Sequence, residues 1–401
     1  MKINFSEYKE EVGNELDDIL SYWMKFTIDE KYGGFYGKID NMNIAYPESE
    51  KGLVLNSRIL WAFSAAYNYS NKEKYLEIAD RAYKYIVNHF IDKDFGGAYW
   101  SVNYNGKMLN GRKQIYGIAF CIYGLSEYYK IKPDSNVLRI ATNLFEAIEK
   151  YSYDKIHKGY YEAFARNWSP LEDLRLSTKD ANEKKTMNTH LHIIEAYANL
   201  FEVWKSDFLK EQIEGLLKIF SGHIINDQTG NLNLFFDEEW NVKSKIISYG
   251  HDIEAAWLLQ QCAEKINEER WVKEMKKATV KITDAAAKGL DEDGGLWYEF
   301  DVSANHFIRE KHWWPQSEAM IGFMNAYQIT GNEKYSDKSY NSWQFVRRYI
   351  KDNVNGEWFW GINADYSVMQ DQDKAGFWKC PYHNTRACLE IIKRISSVTS
   401  N

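Results

Sequence analysis

Apolar residues recur at helical spacing in paired segments along the chain, and the two members of a pair differ in how much of the helix surface is apolar. Segments such as "LVLNSRILWAFSAAYNY", "IYGIAFCIYGLSEYY", "SYGHDIEAAWLLQQCA" and "QSEAMIGFMNAY" are small and apolar nearly all round, whereas "KYLEIADRAYKYIVNHF", "LKEQIEGLLKIF" and "RWVKEMKKATVKI" carry a charged face. A helix apolar on every side is buried, and an amphipathic one lies outside it with its stripe inward. The pattern predicts pairs of one inner and one outer helix.

A short Gly-aromatic motif separates the pairs: "YGGFYGKID" around Gly34, "FGGAYWSVN" around Gly97, "KGYYEAFA" at Gly159, "TGNLNLFFDE" at Gly230, "DGGLWYEFD" at Gly295 and "NGEWFWGIN" at Gly356. The steps are 63, 62, 71, 65 and 61 residues, so the chain is six units of near-constant length, the fourth motif being the most degraded. Six inner and six outer helices make an all-α (α/α)6 barrel. An open solenoid would need polar capping repeats, and neither the first nor the last inner helix reads as one. With five prolines and no linker rich in Pro, Gly or Ser, residues 1–401 form a single domain.

Composition narrows the partner. At 45% hydrophobic and 27% charged the chain is globular in character, and no stretch approaches the ~20 apolar residues of a membrane helix. The N-terminus, "MKINFSEYKEEVGNELDD", lacks the apolar core of a secretory signal, so a cytoplasmic location is expected. Cys121, Cys262, Cys380 and Cys388 show no CxxC spacing and read as buried free thiols. A net charge of -7, with both signs interspersed, argues against a nucleic-acid or anionic-membrane partner. A small neutral ligand and a monomeric chain are expected. The aromatic content, 16% with 15 Trp and 29 Tyr, suits a cleft that stacks on sugar rings.

Polar residues interrupt the start of every inner helix: Asn56 and Arg58, Gln114 and Tyr116, Asn188 and His192, His251 and Glu254, Gln316 and Glu318, His383 and Asn384. Buried ionisable groups cost several kcal/mol unless paired, so their recurrence at one end of the ring points to a shared site. In "MNTHLHIIEAY" residues two apart point about 200° from each other, and His190 and His192 cannot share a face. His192, which shares its face with Asn188 and Glu195, is the site residue; His190 reads as a hydrogen-bonded histidine on the opposite face. In "YGHDIEAAWLL" Glu254 stands one turn from His251, where it could fix the tautomer of the ring. His383 follows a helix-starting Pro with Trp378 just upstream, and Trp313 and Trp314 hold the equivalent place in the fifth unit.

Three histidines suggest zinc, but the tight ligand spacing of HExxH or CxxC is missing, and no metal ligand is assigned. A glycoside hydrolase would draw on Glu254, Glu318 or Asp252 and leave the histidines without work; a carbohydrate-binding protein without catalysis would need only the tryptophans. Two imidazoles with an arginine suit removal of the C2 proton of an open-chain aldose, with the cation beside the oxygen that gains charge and one base on each face of the planar intermediate.

The set "LNSRILWAFSAAY", "MNTHLHIIEAYANL", "SYGHDIEAAWLL", "WWPQSEAMIGFMNAY" and "WKCPYHNTRACLEI" closely resembles the cellobiose 2-epimerases of the N-acylglucosamine 2-epimerase superfamily, over essentially the whole chain. The resemblance implies an isomerase on an (α/α)6 barrel that epimerises the reducing-end glucose of β-1,4-linked disaccharides, with no cofactor and no metal. It implies that His251 and His383 are the two general acid/base residues, that His192 assists ring opening or polarises O1, and that Arg58 holds the carbonyl oxygen. Tyr116, Asn188 and Glu254 would support the reacting sugar and Trp314 and Trp378 would stack on sugar rings, with Trp313 and Glu318 also in the binding site. Monosaccharide mannose isomerases and N-acylglucosamine epimerases share most of these histidines, so the disaccharide preference rests mainly on "WWPQSEA" and "WKCPYHN".

Overall fold

The computed structural model describes residues 3–399. Within them the chain forms α1 (Phe5–Phe26), α2 (Leu53–Ser70), α3 (Glu73–His89), α4 (Ile115–Ile131), α5 (Ser135–Tyr151) and α6 (Met187–Val203). The second half supplies α7 (Asp207–Ile219), α8 (Tyr249–Ile266), α9 (Glu269–Ala286), α10 (Trp313–Thr330), α11 (Glu333–Phe345) and α12 (Tyr382–Thr399). The even-numbered helices are the apolar ones. In α2 every residue from Leu53 to Ala66 is buried, whereas α3 buries one stripe, Tyr75, Ile78, Ala79, Ala82, Tyr85 and Ile86.

Each even-numbered helix packs on the next, and α12 packs back on α2, so the ring is closed. That removes the open solenoid. The sixth outer helix is α1, which packs on α12. The last unit is therefore assembled from the two ends of the chain, a pairing the repeat count alone does not reveal.

All six motifs lie where an outer helix hands over to the next inner one, which sets them around the N-terminal ends of the inner helices. Each is a tight turn followed by strands of two or three residues. In the first, Asp29 Oδ1 accepts from the Lys31 and Tyr32 amides while Oδ2 bonds Lys51 Nζ at 2.7 Å. The repeat carries this device forward as Lys113 to Asp92, Lys185 to Asp154, Lys311 to Asp291 and Lys374 to Asp352. Lys51, Lys113, Lys185 and Lys311 all stand two residues before an inner helix, so each pair clips a turn to that helix's start. The side chains of Lys51 and Asp29 are both fully buried. The fourth unit has lost both partners together: Asn226 caps the turn in place of the aspartate, and Ile247 stands two residues before α8 in place of the lysine.

Breaking one buried partner leaves a charge uncompensated. Lys51→Met is expected to lower unfolding stability by about 3–5 kcal/mol. Adding Asp29→Asn, and so copying the neutral pattern of the fourth unit, is expected to recover more than half of that loss in guanidinium unfolding.

Candidate active site

The two histidines of α6 are separated by the repeat itself. His190 lies three residues into its helix, as do Asp252 in α8 and Gln316 in α10. All three accept a backbone amide of the neighbouring motif: Tyr160 N to His190 Nε2 at 2.9 Å, Leu232 N to Asp252 Oδ1 at 2.8 Å, and Leu296 N to Gln316 Oε1 at 2.7 Å. His190 Nδ1 faces the Thr186 carbonyl at 2.7 Å, so Nδ1 donates and Nε2 accepts. Gly159 makes room for this contact: at φ +81° a side chain is strained, and a Cβ would meet His190 Nε2 at 2.8 Å. Burial lowers the pKa of His190 to about 3, and the ring stays neutral.

His192 has different company. Its Nδ1 lies 2.9 Å from Glu195 Oε2, its ring centroid 4.6 Å from that of Phe120 and 5.1 Å from that of Tyr116. Tyr116 Oη accepts from Arg58 at 2.7 Å, and the Arg58 guanidinium lies 4.1 Å from the Phe120 ring centroid. The structure thus brings Arg58 of α2, Tyr116 of α4 and His192 of α6 together. Trp314 connects the other two histidines, its ring lying 4.7 Å from His251 and 5.7 Å from His383. Trp378 lies 6.2 Å from Tyr116. Asn188 and His251 line one cleft of about 190 Å³, and Asn188 Oδ1 is buried with no partner among the described residues.

The two tryptophans of "WWPQSEA" differ in their neighbours: Trp314 borders His251 and His383, while Trp313 packs on Trp360 at 4.5 Å with Lys379 above its ring and meets His383 edge-on at 6.4 Å. Of the helix-start interruptions, four hold the fold. Gln316 also donates to the Leu296 and His312 carbonyls, Asn384 to Glu357, Gln114 to the Leu174 carbonyl and Asn56 to the Gly52 carbonyl.

One expected pairing is corrected. The spacing of His251 and Glu254 suggested that this carboxylate fixes the His251 tautomer, but His251 Nδ1 lies 2.8 Å from Ser248 Oγ. A hydroxyl can give or take that hydrogen, so the tautomer of His251 is not pinned by a charge. His383 takes its carboxylate from the neighbouring helix α10: its Nδ1 bonds Glu318 Oε1 at 2.7 Å, with Glu254 Oε1 at 3.9 Å. Glu318, expected in the sugar site, has protein donors on both oxygens, since Trp257 Nε1 bonds its Oε2 at 2.9 Å.

Sequence reasoning passed over Arg386. It lies on α12 one turn beyond His383, and its guanidinium bonds Glu195, Glu254 and Glu318. The signal was an arginine near the start of an inner helix, three residues from a candidate histidine. Among the described residues, Glu254, Glu318 and His383 bring possible metal-donor atoms within 4.8 Å of one another, but Arg386 NH2 already bonds both carboxylates, at 2.7 and 2.6 Å. The same guanidinium takes up both carboxylates that a glycoside hydrolase would draw on.

Burial and then the Glu318 charge raise the pKa of Glu254 to about 7. Burial also pushes Glu195 up, but Arg386 and His192 outweigh it and hold the carboxyl at about 2. Burial, reinforced by His192, lowers His251 to about 3, and burial with Arg58 and Arg386 lowers His383 well below its ordinary value. Both rings are therefore neutral at pH 7, the form that takes up a proton.

Imidazoles from three inner helices, His192, His251 and His383, gather at one end of a closed (α/α)6 barrel, and comparison with known proteins gives its family. The N-acylglucosamine 2-epimerase (GlcNAc 2-epimerase) family matches residues 34–387. A cellobiose 2-epimerase of Bacteroides fragilis is 46% identical over 385 residues, spanning 96% of this chain and 98% of its own. One from Dictyoglomus turgidum is 37% identical over 396 residues, spanning 98% and 100%. The solved cellobiose 2-epimerase of Bacillus thermoamylovorans superposes with a TM-score of 0.92 at 37% identity, covering 97% of this chain and all of that one. The chain belongs to the N-acylglucosamine 2-epimerase family and is an epimerase.

Two outcomes follow from the geometry. His190→Ala is expected to cost about 1–3 kcal/mol of stability, through the unsatisfied Tyr160 amide, while the folded protein keeps its turnover. His192→Asn is expected to abolish most turnover with little change in melting temperature. A further outcome concerns Asp252, whose pKa burial raises to about 7 against its bonds to Asn231 and Leu232. The folded protein binds this proton more tightly than the unfolded chain, so its contribution is complete below about pH 4 and fades as pH rises through 7. The stability of the parent relative to Asp252→Asn is expected to fall across that window in parallel denaturation series.

Proposed function

We propose that the protein inverts C2 of the reducing-end glucose of β-1,4-linked disaccharides, taking cellobiose to glucosyl-mannose and lactose to epilactose. His251 and His383 are the two bases, one on each face of the enediolate. His192, held by Glu195, assists opening of the ring. Arg58, oriented by Tyr116, holds the carbonyl oxygen as it gains negative charge. Tyr116, Asn188 and Glu254 support the reacting sugar, and Trp314 and Trp378 stack on sugar rings. No metal or cofactor enters the scheme.

The observation that carries this reading is the Trp314 ring bordering both His251 and His383, which come from different inner helices. A sugar stacked on that ring would present its C2 to an imidazole from either side. Each proton transfer by a positioned imidazole is worth about 10²–10⁴-fold in rate, and a fixed cation at the oxyanion about 10²–10³-fold. The order of steps is ring opening, removal of the C2 proton, return of a proton to the opposite face, and ring closure. The enzyme acts as a monomer; its cytoplasmic location is supported by four cysteines that are buried and unpaired. No helix among the described residues is long and apolar enough to cross a membrane.

The test is proton NMR of cellobiose incubated with the protein in D2O containing EDTA. The expected result is a mannose-type reducing end bearing deuterium at C2. Free glucose would redirect attention to the carboxylates, and an unchanged spectrum would reassign the substrate to mannose or an N-acylglucosamine.

A further inference from the structure

Arg386 has no step in the reaction above, yet its guanidinium joins four inner helices. It bonds Glu195 of α6, Glu254 of α8 and Glu318 of α10, it contacts Tyr382 of its own α12, and it lies 4.8 Å from the Trp257 ring centroid. It is 2% exposed and sits among buried side chains. Two of its carboxylates continue outward to a histidine: Glu195 Oε2 to His192 Nδ1, and Glu318 Oε1 to His383 Nδ1.

We propose that Arg386 is a positioning residue for the epimerisation: by gripping the three carboxylates in one planar fork, it fixes the orientation and charge balance of His192 and His383 without touching the sugar. The inference rests on the proposed roles of those two histidines. Three carboxylates share one guanidinium, so full ionisation would leave two negative charges in a buried cluster, a state that draws protons onto its members, as the raised pKa of Glu254 reflects. Without Arg386 the cluster would be more negative still, and Glu195 and Glu318 would take up protons or turn toward other donors. Either change releases Nδ1 of a histidine. A lysine cannot replace the grip, because an ammonium is a point charge and lacks the fork that spans separate carboxylates.

A purely structural role would also explain a buried arginine, so the readout has to be kinetic. Arg386→Met keeps the length and removes the charge; Arg386→Lys keeps the charge and removes the fork. Both are made in the full chain, checked for fold by circular dichroism and melting, and assayed for kcat and KM with cellobiose across pH. A loss of alignment at the reacting atoms is expected to lower kcat about 100-fold with little change in KM. The acid limb of the kcat profile of Arg386→Met is expected to move to higher pH, because an imidazole protonates more readily once a neighbouring cation is gone. The groups facing His383 are Arg58 of α2, His192 of α6, His251 and Glu254 of α8, Glu318 of α10, and Tyr382 and Arg386 of α12. Each is unchanged in these variants except Arg386.

A folded variant with parental kcat, or one changed in KM alone, would overturn the proposal. Failure of both variants to fold would overturn it too, by marking the residue as structural. Parental turnover of cellobiose is measured first. If it is absent the substrate reading fails separately, and the same comparison is made with mannose.

Discussion

A carboxylate buried near the axis of a barrel must be neutralised where it stands, because water cannot reach it. Three such groups, Glu195, Glu254 and Glu318, enter the axis from successive inner helices and meet one guanidinium, Arg386, from a fourth. That meeting is possible only because the ring is closed: α12, which carries Arg386, is brought beside α10 on one flank and α2 on the other. Closure and charge compensation are one requirement. The outward side of the cluster holds two imidazoles, and the site is built on that footing.

The repeat serves the fold and the chemistry with the same positions. The fourth residue of an inner helix accepts a motif amide in α6, α8 and α10, using His190, Asp252 and Gln316. The lysine two residues before an inner helix clips the preceding turn in four units. With those positions committed to structure, His192, Glu195, His251, Glu254, Glu318, His383 and Arg386 are left for the cavity and its support.

The six-unit count, the inner and outer helices and the shared end were legible in the sequence because apolar periodicity and motif spacing are local signals. Arg58, Tyr116, Asn188 and His192 stand out in the sequence as interruptions of apolar helix starts, Trp314 as an aromatic placed like Trp378, and His190 as a histidine on the wrong face. The partner of His251 does not. Helical spacing shows that Glu254 shares its face, but it cannot show that a cation from α12 and a like charge from α10 compete for that carboxylate. Arg386 escaped for the same reason, its three partners being 68 to 191 residues away in sequence. The pairing of α1 with α12 is likewise a contact between chain ends, which no periodicity encodes.

The most direct measurement is deuterium incorporation at C2 in His251→Ala and His383→Ala, each incubated separately with cellobiose and with glucosyl-mannose in D2O. With one base on each face, each variant retains the base for one epimer: it should exchange the C2 proton of that epimer, leave the other untouched and interconvert neither. Exchange of both epimers by a single variant would contradict the two-base arrangement.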